Sequence, residues 1–202
     1  MEKNIIIHGD SLEYMRTLAD KSIDIVLTDP PYWIGDKFKW WVSWKMNFNE
    51  VVEKWWDVVP SKEYFDEIFR ISKNQIIWWW NYFNLPPTRC FIVWDKKISE
   101  DFSLAMCEIA YTSFDKLAKI YSQSTPKDWK MHPTQKPKEL FKWCLENYSK
   151  PWDLVLDCFA WSGTTAVACI ETGRNYIVIE KEADYVEIIK KRVKNTNPPL
   201  FV

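Results

Sequence analysis

The chain has 202 residues, 47% of them hydrophobic and 27% charged, with a formal net charge of −1. That suffices for one α/β domain with a sizeable core, and it excludes a disordered chain or one pulled to nucleic acid by overall charge. No run approaches the roughly 18 apolar residues of a membrane span, the start "MEKNIIIHGD" lacks a signal-peptide layout, and five scattered cysteines argue against a disulfide framework or a zinc site. A cytoplasmic protein with no membrane contact and no metal is expected. One figure is abnormal: ~7% glycine would give about 14, yet there are 4, while tryptophan, normally among the rarest residues, occurs 14 times.

"NIIIHGD" predicts a short buried strand, and "SLEYMRTLAD" a helix with Ser11 as its N-cap. "IDIVLTDPPY" is a second buried strand, stopped by Pro30 and Pro31. Residues 33–59 are lysine-rich, aromatic and irregular, the pattern of a long loop over strand ends. "SKEYFDEIFRIS" is an amphipathic helix capped by Ser61, followed by the strands "NQIIWWW", "RCFIVWDK" and "CEIAYTSF". After a polar stretch and "MHPTQKP" comes the helix "KELFKWCLENYS". The strand "DLVLD", a Ser-Gly-Thr turn, the helix "TTAVACIETGR", the strand "NYIVIE" and the helix "ADYVEIIKKRV" complete the chain. Short apolar strands alternating with helices predict a mostly parallel sheet covered on both faces, in a single domain.

Ligands of such sheets bind beyond the carboxyl ends of the strands. Asp10, Asp29, Asp157 and Glu180 all fall at such ends. "FAWSGTT" (159–165) places small residues between a strand and a helix, where backbone N–H groups face a ligand. The lysines around His132 (Lys127, Lys130, Lys136, Lys138, Lys142) form a phosphate-binding face only if they border a site, since most such runs are solvated surface. In "DPPY" (29–32) consecutive prolines fix the backbone, so an acid, a carbonyl and an aromatic ring keep a set geometry. Two acceptors and a stacking ring suit the exocyclic amino group of a flat base.

With "GDSLEYMRTLADKSIDIVLTDPPY", "CEIAYTSFDK", "HPTQKP" and "LDCFAWSGTT…GRNYIVIE" in that order, the chain resembles the S-adenosylmethionine-dependent DNA amino-methyltransferases, in the permuted order of the beta group. The resemblance implies a Rossmann-like methyltransferase fold. It implies S-adenosylmethionine as cofactor and double-stranded DNA as substrate, the target base being flipped out. Asp29, Pro30, Pro31 and Tyr32 would bind and orient that base. Asp10 would meet the cofactor's adenine, Glu180 its ribose, and Asp157, Phe159, Ser162, Gly163 and Thr164 its methionine end, with His132 and Lys136 of "HPTQKP" nearby. Aspartate in first place goes mainly with N6-adenine and serine with N4-cytosine, so adenine is expected and cytosine is the alternative. Only residues 115–131 lie where a target-recognition insert would sit, too few for a separate domain. A homodimer and a restriction endonuclease partner are compatible with the family.

The chain departs from the family pattern at one kind of position. Phe-x-Gly-Ser-Gly-Thr-Thr would put glycine at 161, where Trp161 stands. Trp33, Trp79, Trp80 and Trp152 stand where the pattern also has glycine, and some of Trp40, Trp41 and Trp44 could join them. Trp55, Trp56, Trp94 and Trp143 read as ordinary aromatics. A β-carbon resists positive φ at roughly 1 kcal/mol or more, and an indole at 161 would project toward the methionine end. The chain is therefore expected to fold poorly or to bind cofactor weakly. A non-catalytic DNA-binding subunit with a blocked pocket is the reading from a different class.

Overall fold

In a computed structural model, described here for residues 1–32, 59–99, 105–124 and 136–199, eight strands form one sheet. In chain order the elements are β1 (Ile5–His8), α1 (Ser11–Arg16), β2 (Ile23–Thr28), α2 (Lys62–Ile71), β3 (Ser72–Trp78), a 3-10 turn (Trp80–Tyr82), β4 (Phe91–Asp95), β5 (Cys107–Thr112), β6 (Lys119–Ser122), α3 (Lys138–Tyr148), β7 (Leu154–Asp157), α4 (Thr164–Thr172), β8 (Asn175–Glu180) and α5 (Ala183–Lys194). The sheet order is β1-β8-β7-β2-β3-β5-β4-β6. Pairings are parallel except at β5, which runs antiparallel to both β3 and β4.

The central strands are apolar on both faces, as a sheet covered twice requires. Val155 and Val178 face the core beneath α3 and α4, which includes Phe141, Leu145 and Cys169. Their neighbours Leu156 and Ile177 face the opposite core, beside Met15 of α1 and Phe65 and Ile68 of α2. Burial on this scale, at about 25 cal/mol per Å² of apolar surface, is what holds the sheet's layers together. The consequence for function is positional: β8, β7, β2 and β3 lie side by side, all parallel, so their carboxyl ends open on one edge.

Several local expectations are corrected. Asp10, not Ser11, caps α1: its carboxylate accepts from the backbone N–H of Leu12 at 2.8 Å and Glu13 at 3.4 Å. Ser61 occupies the cap position of α2 without a side-chain cap bond. The strand expected through Trp80 ends at Trp78, because Trp79 turns left-handed (φ 57°). β6 was not expected; it is a four-residue, mostly exposed edge strand with little apolar signal. The loop expected at 33–59 lies, except for Val59, outside the described residues, as do Trp33, Trp40, Trp41, Trp44, Trp55, Trp56 and His132. Among the described residues no helix is long and apolar enough to cross a membrane.

The tryptophans divide by backbone. Trp79, Trp152 and Trp161 have φ of 57°, 71° and 49°, in the left-handed region that favours glycine. Trp78 lies in β3, fully buried and stacked on Phe141 at 6.4 Å between ring centroids. Trp152 is 68% exposed, so its indole contributes little packing. Trp152→Gly is therefore expected to stabilise the fold, by a few tenths to about 1 kcal/mol, whereas Trp78→Gly should cost about 3 kcal/mol or more. Chemical denaturation of the two variants checks this, and a destabilised Trp152→Gly protein would contradict it.

Candidate active site

Each strand of the central group delivers one functional residue to the open edge. β8 ends at Glu180, β7 at Asp157, β2 runs directly into Asp29, and β3 into Trp79. Asp157 is buried and held by three donors: the Thr28 hydroxyl at 2.7 Å, the Thr165 hydroxyl at 2.5 Å and the Phe159 backbone N–H at 3.1 Å. Glu180 is buried as well, and its carboxylate accepts from the backbone N–H of Trp161 at 2.7 Å and of Glu182 at 2.9 Å. These bonds tie the turn after β7 to the end of β8.

Asp29 sits in a chain of charges, of which Lys136 and Glu108 are buried and Asp29 and Lys96 are half-buried. The Lys136 ammonium donates to its carboxylate and lies 3.3 Å from Glu108, which a second cation, Lys96, meets at 2.5 Å. Lys136 Nζ also lies 5.3 Å from the Trp78 ring and 5.4 Å from the Trp79 ring, over their faces. Burial pushes the Asp29 carboxyl up to about 6; Lys136 pulls it down, while Glu108 and Asp157 push it further up. Glu180 is pushed up to about 7, chiefly by burial, against its backbone donors. Asp157 is raised for the same principal reason.

Beyond Asp29, Pro30 is buried and Tyr32 stacks on Trp79 at 4.2 Å between centroids, with Tyr82 5.2 Å away. The turn after β7 is left-handed at Trp161 and again at Gly163 (φ 78°), where a β-carbon would meet Ile189 of α5 at 2.9 Å. Gly163 is thus required twice over, by backbone and by contact. The buried Ser162 is held by Arg192, which donates to its carbonyl at 2.5 Å and its hydroxyl at 3.0 Å.

Of the sequence candidates, Asp29, Lys136, Asp157, Phe159, Ser162 and Thr164 line one cavity. Glu180 stands behind the Trp161 backbone, and Gly163 packs on α5 instead of lining the space. Asp10 is engaged elsewhere, capping α1 and accepting from the Tyr64 hydroxyl at 2.9 Å. Glu108 and Lys96 were missed. Glu108 carried a weak signal, a charged residue at an inward position of an otherwise apolar strand. Cys158, the thiol next to Asp157, is buried and its pKa pushed up, so it supplies no thiolate near neutral pH.

The chain is similar to known proteins along nearly its whole length. Residues 92–191 match a family model described as DNA methylase. The type II methyltransferase M.HinfI of Haemophilus influenzae is 28% identical over 249 aligned positions, covering 96% of this chain and 69% of that protein. That alignment is longer than the chain itself, so M.HinfI carries segments this chain lacks. The DNA adenine methyltransferase YhdJ of Escherichia coli is 26% identical, covering 95% of this chain and 83% of that one. These matches support a DNA methylase. Among solved structures, the M1.HpyAVI–SAM complex superposes with a TM-score of 0.61 at 24% identity, covering 93% of this chain and 98% of that one, which supports the same fold.

DNA methylases of this N6/N4 type use S-adenosylmethionine. The acids and small-residue turn here fit such a group: buried carboxylates at neighbouring strand ends and a helix start at Thr164. The indole of Trp161 does not. Its Nε1 donates to the Asp29 backbone carbonyl at 2.9 Å, and the cavity it borders measures about 20 Å³. That enclosed space has room for about one water.

The Asp29 carboxyl should titrate with a midpoint of about 6 by carboxyl-carbon NMR, and Lys136→Met should move that midpoint upward. A midpoint unmoved by loss of the lysine would contradict the charge chain. Asp29 and Glu180 both hold their protons more tightly folded than unfolded. Their contribution therefore favours the folded state at acidic pH and is lost as pH rises through about 6 to 7. Denaturant midpoints falling from pH 5 to pH 8 are the expected result of these two groups, and a rise would give them the wrong sign.

Proposed function

We propose that this DNA methylase transfers a methyl group from S-adenosylmethionine to the N6 amino group of adenine in double-stranded DNA, with the base flipped out of the helix. The observation that carries the reading is Asp29: a half-buried carboxylate at a strand end, followed by two prolines and a ring already stacked face-on at 4.2 Å. The Lys136 ammonium donates to the carboxylate where the amino group of a base would donate. The relative named as an adenine methyltransferase supports the same choice.

An adenine amino nitrogen is a poor nucleophile because its lone pair is conjugated into the ring. Hydrogen bonds to the Asp29 carboxylate and the Pro30 carbonyl draw it toward a tetrahedral form, while Tyr32 holds the base face. S-adenosylmethionine supplies a sulfonium methyl when bound. Asp29, raised to about 6, is ionised at neutral pH yet more basic than an ordinary carboxylate, and it accepts the proton the amino nitrogen sheds. Glu180 and Asp157 hold the cofactor's ribose and methionine ends. Asp10, at the end of the first strand, would meet its adenine.

In this reading residues 1–202 form one methyltransferase domain in the cytoplasm. Sequence choice comes from the loop at 33–59 or from a second subunit, and a restriction endonuclease recognising the same site fits the type II relative. The cavity of about 20 Å³ favours one other reading, a DNA-binding subunit without activity. Labelled S-adenosylmethionine and double-stranded DNA, incubated with the Trp161→Gly protein, should yield N6-methyladenine, and Asp29→Asn in that background should lower the rate ~100-fold or more. N4-methylcytosine as product would overturn the choice of base. Cofactor binding without any methylated product would favour the inactive subunit.

A further inference from the structure

The polar frame of the site fits a nucleoside-sized cofactor and the indole inside it does not, and this disagreement has a pattern. Seven tryptophans lie among the described residues: 78, 79, 80, 94, 143, 152 and 161. The family pattern marks four of them, 79, 80, 152 and 161, as glycine positions. Three of those four are left-handed, and Trp78, Trp94 and Trp143 are not. Sequence pattern and backbone thus agree at three positions, 79, 152 and 161; Trp80 follows directly on Trp79 and rests on the pattern alone.

Of these side chains, Trp161 and Trp79 gain partners, the Asp29 carbonyl and the Tyr32 ring, and both do so by occupying the site itself. Trp152 projects into solvent. The indole N–H groups of Trp79 and Trp80, like that of Trp78, are buried without hydrogen-bond partners among the described residues, so this feature does not set them apart. Trp161 fills the space beside Asp157 and Ser162, and Trp79 covers the Tyr32 ring face that a flipped base needs. Other left-handed side chains in the molecule behave differently. Lys21 donates from its ammonium to the carbonyls of Phe69 and Ser72 at 2.8 and 2.9 Å, and the ammonium of Lys97 pairs with Asp95 at 2.7 Å.

Glycine removes every one of these conflicts, and the chain has 4 glycines beside 14 tryptophans. The two residues are neighbours in the codon table: UGA is one base from the tryptophan codon UGG and one base from the glycine codon GGA. The tRNA that reads UGA decides which residue is inserted. We propose that the protein made in its own cell carries glycine at positions 79, 80, 152 and 161, encoded by UGA codons decoded as glycine. The glycine form opens the methionine end of the cleft at 161 and the stacking face of Tyr32 at 79. The inference goes beyond the choice of methylated base and does not depend on it.

Two measurements test it without any assay of activity. Peptide mass spectrometry of the protein isolated from its source cells should find glycine at 79, 80, 152 and 161, tryptophan at 78, 94 and 143, and UGA at the first four codons of the gene. Tryptophan in those four peptides, or UGG at those codons, overturns the proposal. In a recombinant comparison, replacing all four residues by glycine should raise Tm by roughly 5–10 °C, from about 1 kcal/mol relieved at each left-handed position. A cooperative transition found only in the glycine form counts the same way. A lower Tm for the glycine form would count against the proposal.

Discussion

The backbone between β7 and α4 has to turn left-handed twice within three residues, at 161 and at 163, and the rest of the site is hung on that turn. It brings the backbone N–H of residue 161 onto the Glu180 carboxylate and delivers Thr165 to Asp157. It also lets α5 approach so closely that Gly163 has no room for a β-carbon. Two left-handed residues so close together are cheap only for glycine. One position has it. At the other, an indole reaches across to the Asp29 carbonyl and takes the space the surrounding carboxylates would otherwise frame.

The second constraint is charge. Parallel strands β8, β7 and β2 place Glu180, Asp157 and Asp29 at one edge of the sheet, and burial pushes all three carboxyl groups up. Hydroxyl and backbone donors hold Asp157 and Glu180, whereas Asp29 is held by a cation, Lys136, itself shared with Glu108. A buried pair of this kind is weak evidence for stability, since desolvation offsets most of the attraction. Its chemical meaning is clearer: with its pKa pushed up to about 6, Asp29 remains an acceptor near neutral pH, and its partner Lys136 is a donor.

Much of this was legible in the sequence. Apolar runs located β1, β2, β7 and β8, and an acid at the end of each pointed to the edge where the site lies. The odd tryptophans were legible too, from the shortage of glycine and the resemblance to the family pattern, and the backbone is left-handed at three of them. What could not be read was long-range. Nothing local joins Lys136 to Asp29, 107 residues away, or Glu108 to either. β6 was missed because "KIYS" is a short exposed edge with one half-buried ring and no alternation to detect. The cap of α1 moved by one residue because Asp10 and Ser11 are both good caps, and only the dihedral angles at Asp10 decide between them.

The central claim is that a fold built to hold S-adenosylmethionine is obstructed at one residue of one turn. Calorimetric titration of S-adenosylmethionine into this chain and into Trp161→Gly, with Glu180→Ala added to the glycine form as a control, tests it most directly. The account predicts binding by the glycine form alone, weakened when Glu180 is removed. Equal binding by the tryptophan and glycine forms would contradict it, and would mean that the turn accommodates an indole and a cofactor together.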